Sequence, residues 1–334
     1  MKKIFLYPAK NLVLVIPIVL LLGFLTGLLV NTAFFKNWIL VITFLMIYPT
    51  MIGFKIKEAV DLSHMKPLLI ALAANFVAIP AVAWLMGRLL LGSQPDLFVG
   101  LIMISLFPTS GMTISWTMLS KGNVAAAIKI TAISLLLGSF LAPWYLYLFV
   151  GSLIEVNILQ TFLTIALVVV LPMIAGSVTF MLIRRRTSQE QFNQSIKPYF
   201  PAASTWFLLL LIFASISMKA KSILSDPGKL LYMILVISVF YGFNFVFSTL
   251  VARRFLTVKD GFAFVYATVL RNLSIALGIA VSAFGPGTAL IVTLAFIIQV
   301  QGAAWYGKLA TANGWLSSRS PAAPKVNPEV IREA

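Results

Sequence analysis

Stretches of about twenty apolar residues, each long enough to cross a bilayer, follow one another along this chain with short polar breaks between them. Ten such windows predict ten transmembrane helices, at roughly 12–32, 38–54, 67–91, 97–120, 124–150, 159–182, 200–218, 229–252, 262–284 and 287–310. The fourth window is interrupted. Phe107–Gly122 reads FPTSGMTISWTMLSKG and carries Pro108, Thr109, Ser110, Gly111, Thr113 and Ser115 inside apolar surroundings. Proline removes a backbone donor and clashes with the preceding turn, and glycine loosens the helix further. In lipid, such backbone is tolerated only where it is buried in protein or lines a polar cavity. A helix broken at mid-depth points to the substrate site of a secondary transporter. Taken alone, the stretch also fits a proline-kinked helix whose hydroxyls bond to their own backbone.

A weak internal repeat bears on that choice. Span 2 ends MIGFKIK at 51–57 and span 7 ends SISMKAK at 215–221, an offset of 164. Adding the offset to spans 2, 3, 4 and 5 lands on spans 7, 8, 9 and 10. Five spans per half is odd, so the halves have opposite orientation, the inverted-repeat plan of many transporters. The expected organisation is a first repeat over 1–150, a second over 151–315 and a disordered cytoplasmic tail over 316–334. The offset carries Pro108 to Asn272 and Ser110 to Ser274. The span 9 stretch YATVLRNLSIALG holds Arg271, Asn272, Ser274 and Gly278. Two interrupted spans are therefore expected to cross near mid-depth, with Pro108, Gly111 and Gly278 as the helix breaks.

Composition turns these windows into a membrane protein. With 60% hydrophobic and 10% charged residues and a mean hydropathy of +1.01, the chain carries too much apolar surface for a soluble domain. The formal net charge is +16, but the basic residues lie in loops and tails, which reads as topology and lipid headgroup contact and excludes a nucleic-acid partner. With the N-terminus inside, 18 of the 25 basic residues fall in inner segments and five in outer ones, the latter being Lys36, Arg88, Lys219, Lys221 and Lys229. Both termini are therefore expected in the cytoplasm, in the inner (plasma) membrane. The first span lacks a small-residue cleavage site and reads as retained. Cysteine is absent, which excludes disulfides and thiolate metal ligands. No cofactor and no metal is expected.

All nine acidic residues fall in loops, span edges or the tail, which leaves no mid-membrane carboxylate for a proton relay. The two charges inside spans are positive. Arg271 lies about 14 Å along span 9, at a cost of about 2.5–3.5 kcal/mol on insertion scales. Either a bound anion offsets it through the guanidinium fork, or carbonyls of a neighbouring break do. Lys129 lies about 8 Å into span 5; it either faces the cavity as a fixed positive charge or snorkels to the interface. Asn75 and Asn244 bond across helices or line the cavity. His64 is the only histidine and reads as a solvated loop residue.

The runs FPTSGMTISWTMLSKGNVAAAIKITAIS and RNLSIALGIA resemble the bile acid:sodium symporter superfamily, and LMIYPTMIGFKIKEAV resembles its arsenical-resistance (arsenite permease) branch. The resemblance implies an all-α fold of ten helices, with a panel domain of spans 1, 2, 6 and 7 and a core domain of spans 3–5 and 8–10. It implies alternating access by one domain moving against the other. Carried over residue by residue, its sodium ligands fall on Thr113, Ile114, Ala127, Thr131, Ala267 and Arg271. Of these, Ile114, Ala127 and Ala267 have no side-chain oxygen and Arg271 brings a cation instead of one, so the resemblance implies no sodium coupling by that route. The cysteine of the arsenite branch falls on Thr109 and its acidic position on Ser274, which excludes thiol capture. The candidate substrate-binding set is Thr109, Ser110, Thr113, Ser115, Lys129, Thr131, Arg271, Asn272 and Ser274.

An intramembrane enzyme would need a catalytic constellation at depth, and the sequence holds no HExxH, no GxGD and no Ser-His dyad there. A channel or receptor needs none, but paired breaks in inverted halves favour a carrier. Two cargoes remain open: a small organic or inorganic anion near Arg271 and Lys129, or arsenite and antimonite. The partners implied are this small-molecule or oxyanion substrate and the lipid bilayer, with monomer and homodimer both open.

Overall fold

Within hydrocarbon a chain must satisfy its backbone internally, and the α-helix does so within one segment. The computed structural model describes residues 2–53, 64–151 and 158–316. Among the described residues all regular structure is helical. In chain order the helices are α1 (Lys2–Lys10), α2 (Leu12–Leu29), α3 (Ile39–Met51), α4 (Met65–Leu91), α5 (Pro95–Leu106), α6 (Gly111–Leu119) and α7 (Val124–Val150). They continue with α8 (Leu159–Arg184), α9 (Tyr199–Ser225), α10 (Pro227–Phe255), α11 (Val258–Val269), α12 (Leu273–Ile279) and α13 (Pro286–Ala312). Eight of the described helical segments are long and apolar enough to cross a membrane, and nine if the bent pair α5 and α6 makes one span. The chain is a multi-pass integral membrane protein.

The second expected span is the one that falls short. It appears as the 13-residue α3, entered through a tight helical turn at Ala33–Asn37 and closed by Ile52 and by Gly53 at φ 79°. Lys55 and Lys57 of its MIGFKIK ending lie outside the described residues, as do Glu58, Asp61, Glu155 and residues 317–334 of the expected tail. Leu316, the last described residue, is buried, and Trp315 packs on Tyr306. Helix α1 lies outside the ten windows. It is too short to span, and Trp206 of α9 donates its indole N–H to the Phe5 carbonyl at 3.0 Å.

Small residues set the closest packing, as is usual between helices in lipid. A Cβ on Gly27 would stand 2.0 Å from the Ser217 carbonyl oxygen, so α2 and α9 touch backbone to backbone. Helix α9 packs along α2 and α3, and α8 packs on α3. A second set of contacts joins α5 to α4 and α13, α10 to α11 and α13, and α7 to α5, α6 and α11. The two sets meet where α13 crosses α9, with Thr293 Oγ1 donating to Ser215 Oγ at 3.1 Å, and where α12 lies against α3. Helix α5 is buried from Leu97 to Leu106 and α11 from Gly261 to Val269. These two half-helices are the centre of the molecule, and both end at an interruption.

Candidate functional site

The first interruption runs from Phe107 to Ser110, with a 59° bend between α5 and α6. Pro108 lies in it, and Gly111 opens α6. Thr109 has φ 61°, a left-handed conformation that a β-branched residue rarely adopts. It is fully buried, and its hydroxyl donates to the Thr131 carbonyl on α7 at 3.5 Å. Helix α7 can press this close because Gly138 faces the break: a Cβ there would stand 3.1 Å from Pro108 Cδ and 3.2 Å from the Leu106 carbonyl oxygen.

The second interruption is at Leu270–Asn272, between α11 and α12. It meets the first directly: the Asn272 N–H donates to the Phe107 carbonyl at 2.7 Å. Asn272 then caps α12, its Oδ1 accepting from the Ile275 N–H at 3.3 Å. Gly278 is not the break. It stands inside α12, where a Cβ would come 2.1 Å from Thr43 Cγ2 of α3. Its role is close packing across to α3.

Arg271 is fully buried, and its guanidinium faces protein oxygens. Nε donates to the Ile104 carbonyl at 3.3 Å, one Nη to Asn75 Oδ1 at 2.6 Å and the Thr268 carbonyl at 3.1 Å, and the other Nη to the Ser105 carbonyl. Of the two sequence readings, the geometry is that of an arginine bonded to the carbonyls of a neighbouring break. An anion fork needs two parallel free N–H groups, and four of the five donors are already committed. Asn75, on a π-helical turn at Ala74–Ala78, bonds across helices, one of its two expected roles, and its Nδ2 also donates to the Ala267 carbonyl at 3.2 Å.

The hydroxyls divide into satisfied and unsatisfied groups. Thr113 Oγ1 donates to the Tyr266 carbonyl at 3.3 Å and accepts from the Ser110 N–H at 3.4 Å. Thr131 Oγ1 and Ser134 Oγ are buried with no hydrogen-bond partner, and Ser110 Oγ, also buried, faces the Thr113 N–H in a capping box at the start of α6. Thr131, Ser134 and Gly138 share one face of α7 at helical spacing, the face turned to the break. Each buried, unpaired hydroxyl costs about 1–3 kcal/mol, so the two on α7, beside the Ser110 hydroxyl, form a polar surface that the fold leaves unanswered.

Two predicted residues lie elsewhere. Ser115 is exposed, as is Gly111, on the face of α6 opposite the buried Thr113 and Thr117. Lys129 is buried, and its Nζ lies 3.7 Å from Sδ of Met65, the first residue of α4, at the end of that helix. It precedes Thr131 by two residues, about 200° around the helix, so it faces α4 while Thr131 faces the break. Ser274 is half-buried in the first turn of α12. His64 is tied at Nδ1 to Asn123 Nδ2 at 3.1 Å, and that amide also donates to Asp260 Oδ1 at 2.7 Å.

Gln299 of α13 was missed by sequence reasoning. Its Oε1 accepts from the Arg271 backbone N–H at 2.8 Å and the Tyr241 hydroxyl at 2.8 Å, and its Nε2 donates to the Arg271 carbonyl at 3.1 Å. A side-chain amide thus stands in for the helix partners that the break removes. The available signal was a primary amide within an apolar span. Ser134, three residues after Thr131, was missed as well, and helical spacing alone would have placed it beside Thr131.

Two interrupted helices that meet at their breaks, inside a bundle of apolar helices, define a membrane transporter architecture. Residues 39–226 match the model of the Sodium Bile acid symporter family, and the chain belongs to that family of transporters. It is 24% identical over 249 residues to the Bacillus subtilis (strain 168) protein YbaS, covering 74% of this chain and 79% of YbaS. It is 25% identical over 281 residues to sodium/bile acid cotransporter 7 of Rattus norvegicus, covering 80% and 81% of the two chains. Against the arsenical-resistance protein Acr3 of Corynebacterium glutamicum it is 22% identical over 260 residues, covering 73% and 69%.

Proposed function

We propose that this transporter moves a small anionic solute by alternating access and does so without sodium at the crossing. The observation that carries the reading is the pair of unpaired hydroxyls on Thr131 and Ser134 beside Ser110, the N-cap of α6. Helix N-termini favour negative charge. Arg271 adds a full positive charge behind the two breaks, as a fixed field with its donors already committed. Lys129 adds a second on the approach from α4. Among the described residues the carboxylates Asp96 and Asp260 lie at the far ends of α5 and α11, about a helix length from the breaks. Thr109, Thr113, Asn272 and Ser274 shape the pocket, and Ser115 with Gly111 lines the open face through which substrate enters.

In the full reading, ten helices form two inverted repeats over 1–150 and 151–315, with both termini in the cytoplasm and the protein in the inner (plasma) membrane. A core of spans 3–5 and 8–10 moves against a panel of spans 1, 2, 6 and 7. The contact of Gly278 with Thr43 and of Thr293 with Ser215 lies on the surface that must slide. The test is counterflow in proteoliposomes with a panel of small carboxylates and inorganic oxyanions. Exchange of any of them in sodium-free buffer supports the reading, and exchange of none overturns it.

Arsenite or antimonite efflux is the second reading. The same unpaired hydroxyls would hydrogen-bond a neutral trihydroxide, and one relative carries the arsenical-resistance name. Metalloid sensitivity of a host cell with and without expression separates the two. A gain of resistance that survives loss of counterflow by every anion favours the metalloid.

A further inference from the structure

We propose that α1 lies in the plane of the membrane surface and that Lys3, Lys10 and Lys197 form there a docking face for anionic phospholipid headgroups. Nine helical residues reach about 14 Å, less than half of a hydrocarbon core of about 30 Å. The helix is built like an interfacial one, with a charged face and an apolar one. Lys3, Tyr7 and Lys10 recur at i, i+4 and i+7 on one exposed side. Next to them Ile4 is 71% exposed, and Phe5 is open as well. Pro8 is buried, and Leu6 and Ala9 are half-buried, on the side turned to protein. Asn11, at ψ 37°, separates α1 from α2.

The helix is pinned to the bundle. Its Phe5 carbonyl takes the indole N–H of Trp206, and the Phe5 ring lies 6.3 Å from that of Tyr199, the first residue of α9. Lys197 is exposed two residues before Tyr199, so it stands at the same end of α9 as α1. Tyrosine and tryptophan are residues of the headgroup level. The charge there is one-sided, because α1, α2 and α9 carry no carboxylate. Lysines next to a membrane favour anionic over zwitterionic lipid. An exposed isoleucine and phenylalanine beside them suit a headgroup with its acyl chains better than a free anion. Because α9 packs along α2 and α3, the contact anchors that set of helices at headgroup level. Placing the face in the inner leaflet rests on the proposed orientation. Lipid beside α1 is measured in either leaflet, so a reversed orientation leaves the test below standing.

The experiment uses the full chain with Ile4→Cys, the single thiol in a chain otherwise without cysteine. The thiol carries a small fluorophore, and the protein is reconstituted in phosphatidylcholine vesicles containing a brominated lipid as quencher. Brominated phosphatidylglycerol is expected to quench at a mole fraction about fivefold lower than brominated phosphatidylcholine, the worth of one lysine near a charged surface. Adding Lys3→Gln, Lys10→Gln and Lys197→Gln together is expected to abolish that preference, and the three corresponding arginine substitutions to retain it. Quenching by neither lipid would take α1 off the bilayer surface and overturn the proposal. Equal quenching by the two lipids, or a preference indifferent to loss of the lysines, would overturn the anionic docking face. Loss of the preference on adding inorganic phosphate, with ionic strength held constant by chloride, would assign the lysines to a free anion and overturn it too.

Discussion

The backbone N–H of Asn272 donates to the carbonyl of Phe107 at 2.7 Å, so each interrupted helix supplies a partner that the other has lost. In an unbroken helix the Phe107 carbonyl would accept from residue 111 and the Asn272 N–H would donate to Thr268. The break at Pro108 frees the first. The Thr268 carbonyl is occupied by Arg271 instead. A buried backbone group without a partner costs as much as a lost hydrogen bond, and this contact removes that cost at two places at once. The two halves of the molecule are thereby joined at their least regular points.

Gln299 does the same for Arg271. Gln299→Leu leaves the Arg271 N–H and carbonyl and the Tyr241 hydroxyl without partners, at about 1–3 kcal/mol for each group left unsatisfied. A clear fall in the unfolding midpoint is expected. Gln299→Glu, as a neutral acid, keeps an acceptor and an O–H donor at the site, so its loss is expected to be smaller at low pH and to grow as the carboxyl ionises. Equal midpoints for Gln299→Leu and the native protein would contradict this role.

Thr109 holds the first break in shape with a left-handed backbone. Glycine adopts φ near 61° without a Cβ penalty of roughly 1–2 kcal/mol. Thr109→Gly is therefore expected to be neutral or stabilising despite losing the long bond to the Thr131 carbonyl. Thr109→Val keeps the strain and loses the bond, and is expected to be the less stable of the two. The reverse order in a thermal melt would mean that the hydroxyl matters more than the backbone.

Contact between α12 and α3 depends on the missing side chain at Gly278. Gly278→Ala puts a methyl 2.1 Å from Thr43 Cγ2, an overpacking worth about 1–3 kcal/mol. Thr43→Ala removes the clashing atom. The double variant is expected to recover much of the loss, with a coupling energy outside the additive range of about 0.5 kcal/mol. Purely additive midpoints would place the two residues apart.

How much of this was legible in the sequence differs from residue to residue. The polar run at Phe107–Gly122 and its partner at Arg271 were visible because proline, hydroxyls and a charge stand out in apolar spans. The offset of 164 carries Pro108 to Asn272, and the polar content of both runs suggested pairing them. The depth of Arg271 was legible, but the direction of its guanidinium was not: that depends on which carbonyls the neighbouring half-helix leaves open, a tertiary property. Gly278 looked like a break because glycine loosens a helix, whereas here it permits contact with α3. Lys129 and Thr131 were placed in one pocket although two residues separate them, and helix geometry alone puts them on different faces. Helix α1 escaped the hydropathy windows because it is short and carries lysines.

Topology is open to a direct check because the chain contains no cysteine. Lys36→Cys and Lys229→Cys, both at exposed positions, are expected to react with an impermeant maleimide added outside whole cells. Lys121→Cys and Lys308→Cys, also exposed, are expected to react only after permeabilisation. The opposite pattern would reverse the orientation that the basic residues suggest.

The most direct measurement is anion counterflow by the native protein in proteoliposomes, run in sodium and in choline, beside Ser110→Ala and Thr131→Val. Loss of one substrate hydrogen bond of about 1.4 kcal/mol corresponds to a tenfold change. The account expects equal native rates in the two salts and a fall of roughly tenfold for each variant. A native rate that requires sodium, or rates untouched by both substitutions, would contradict it.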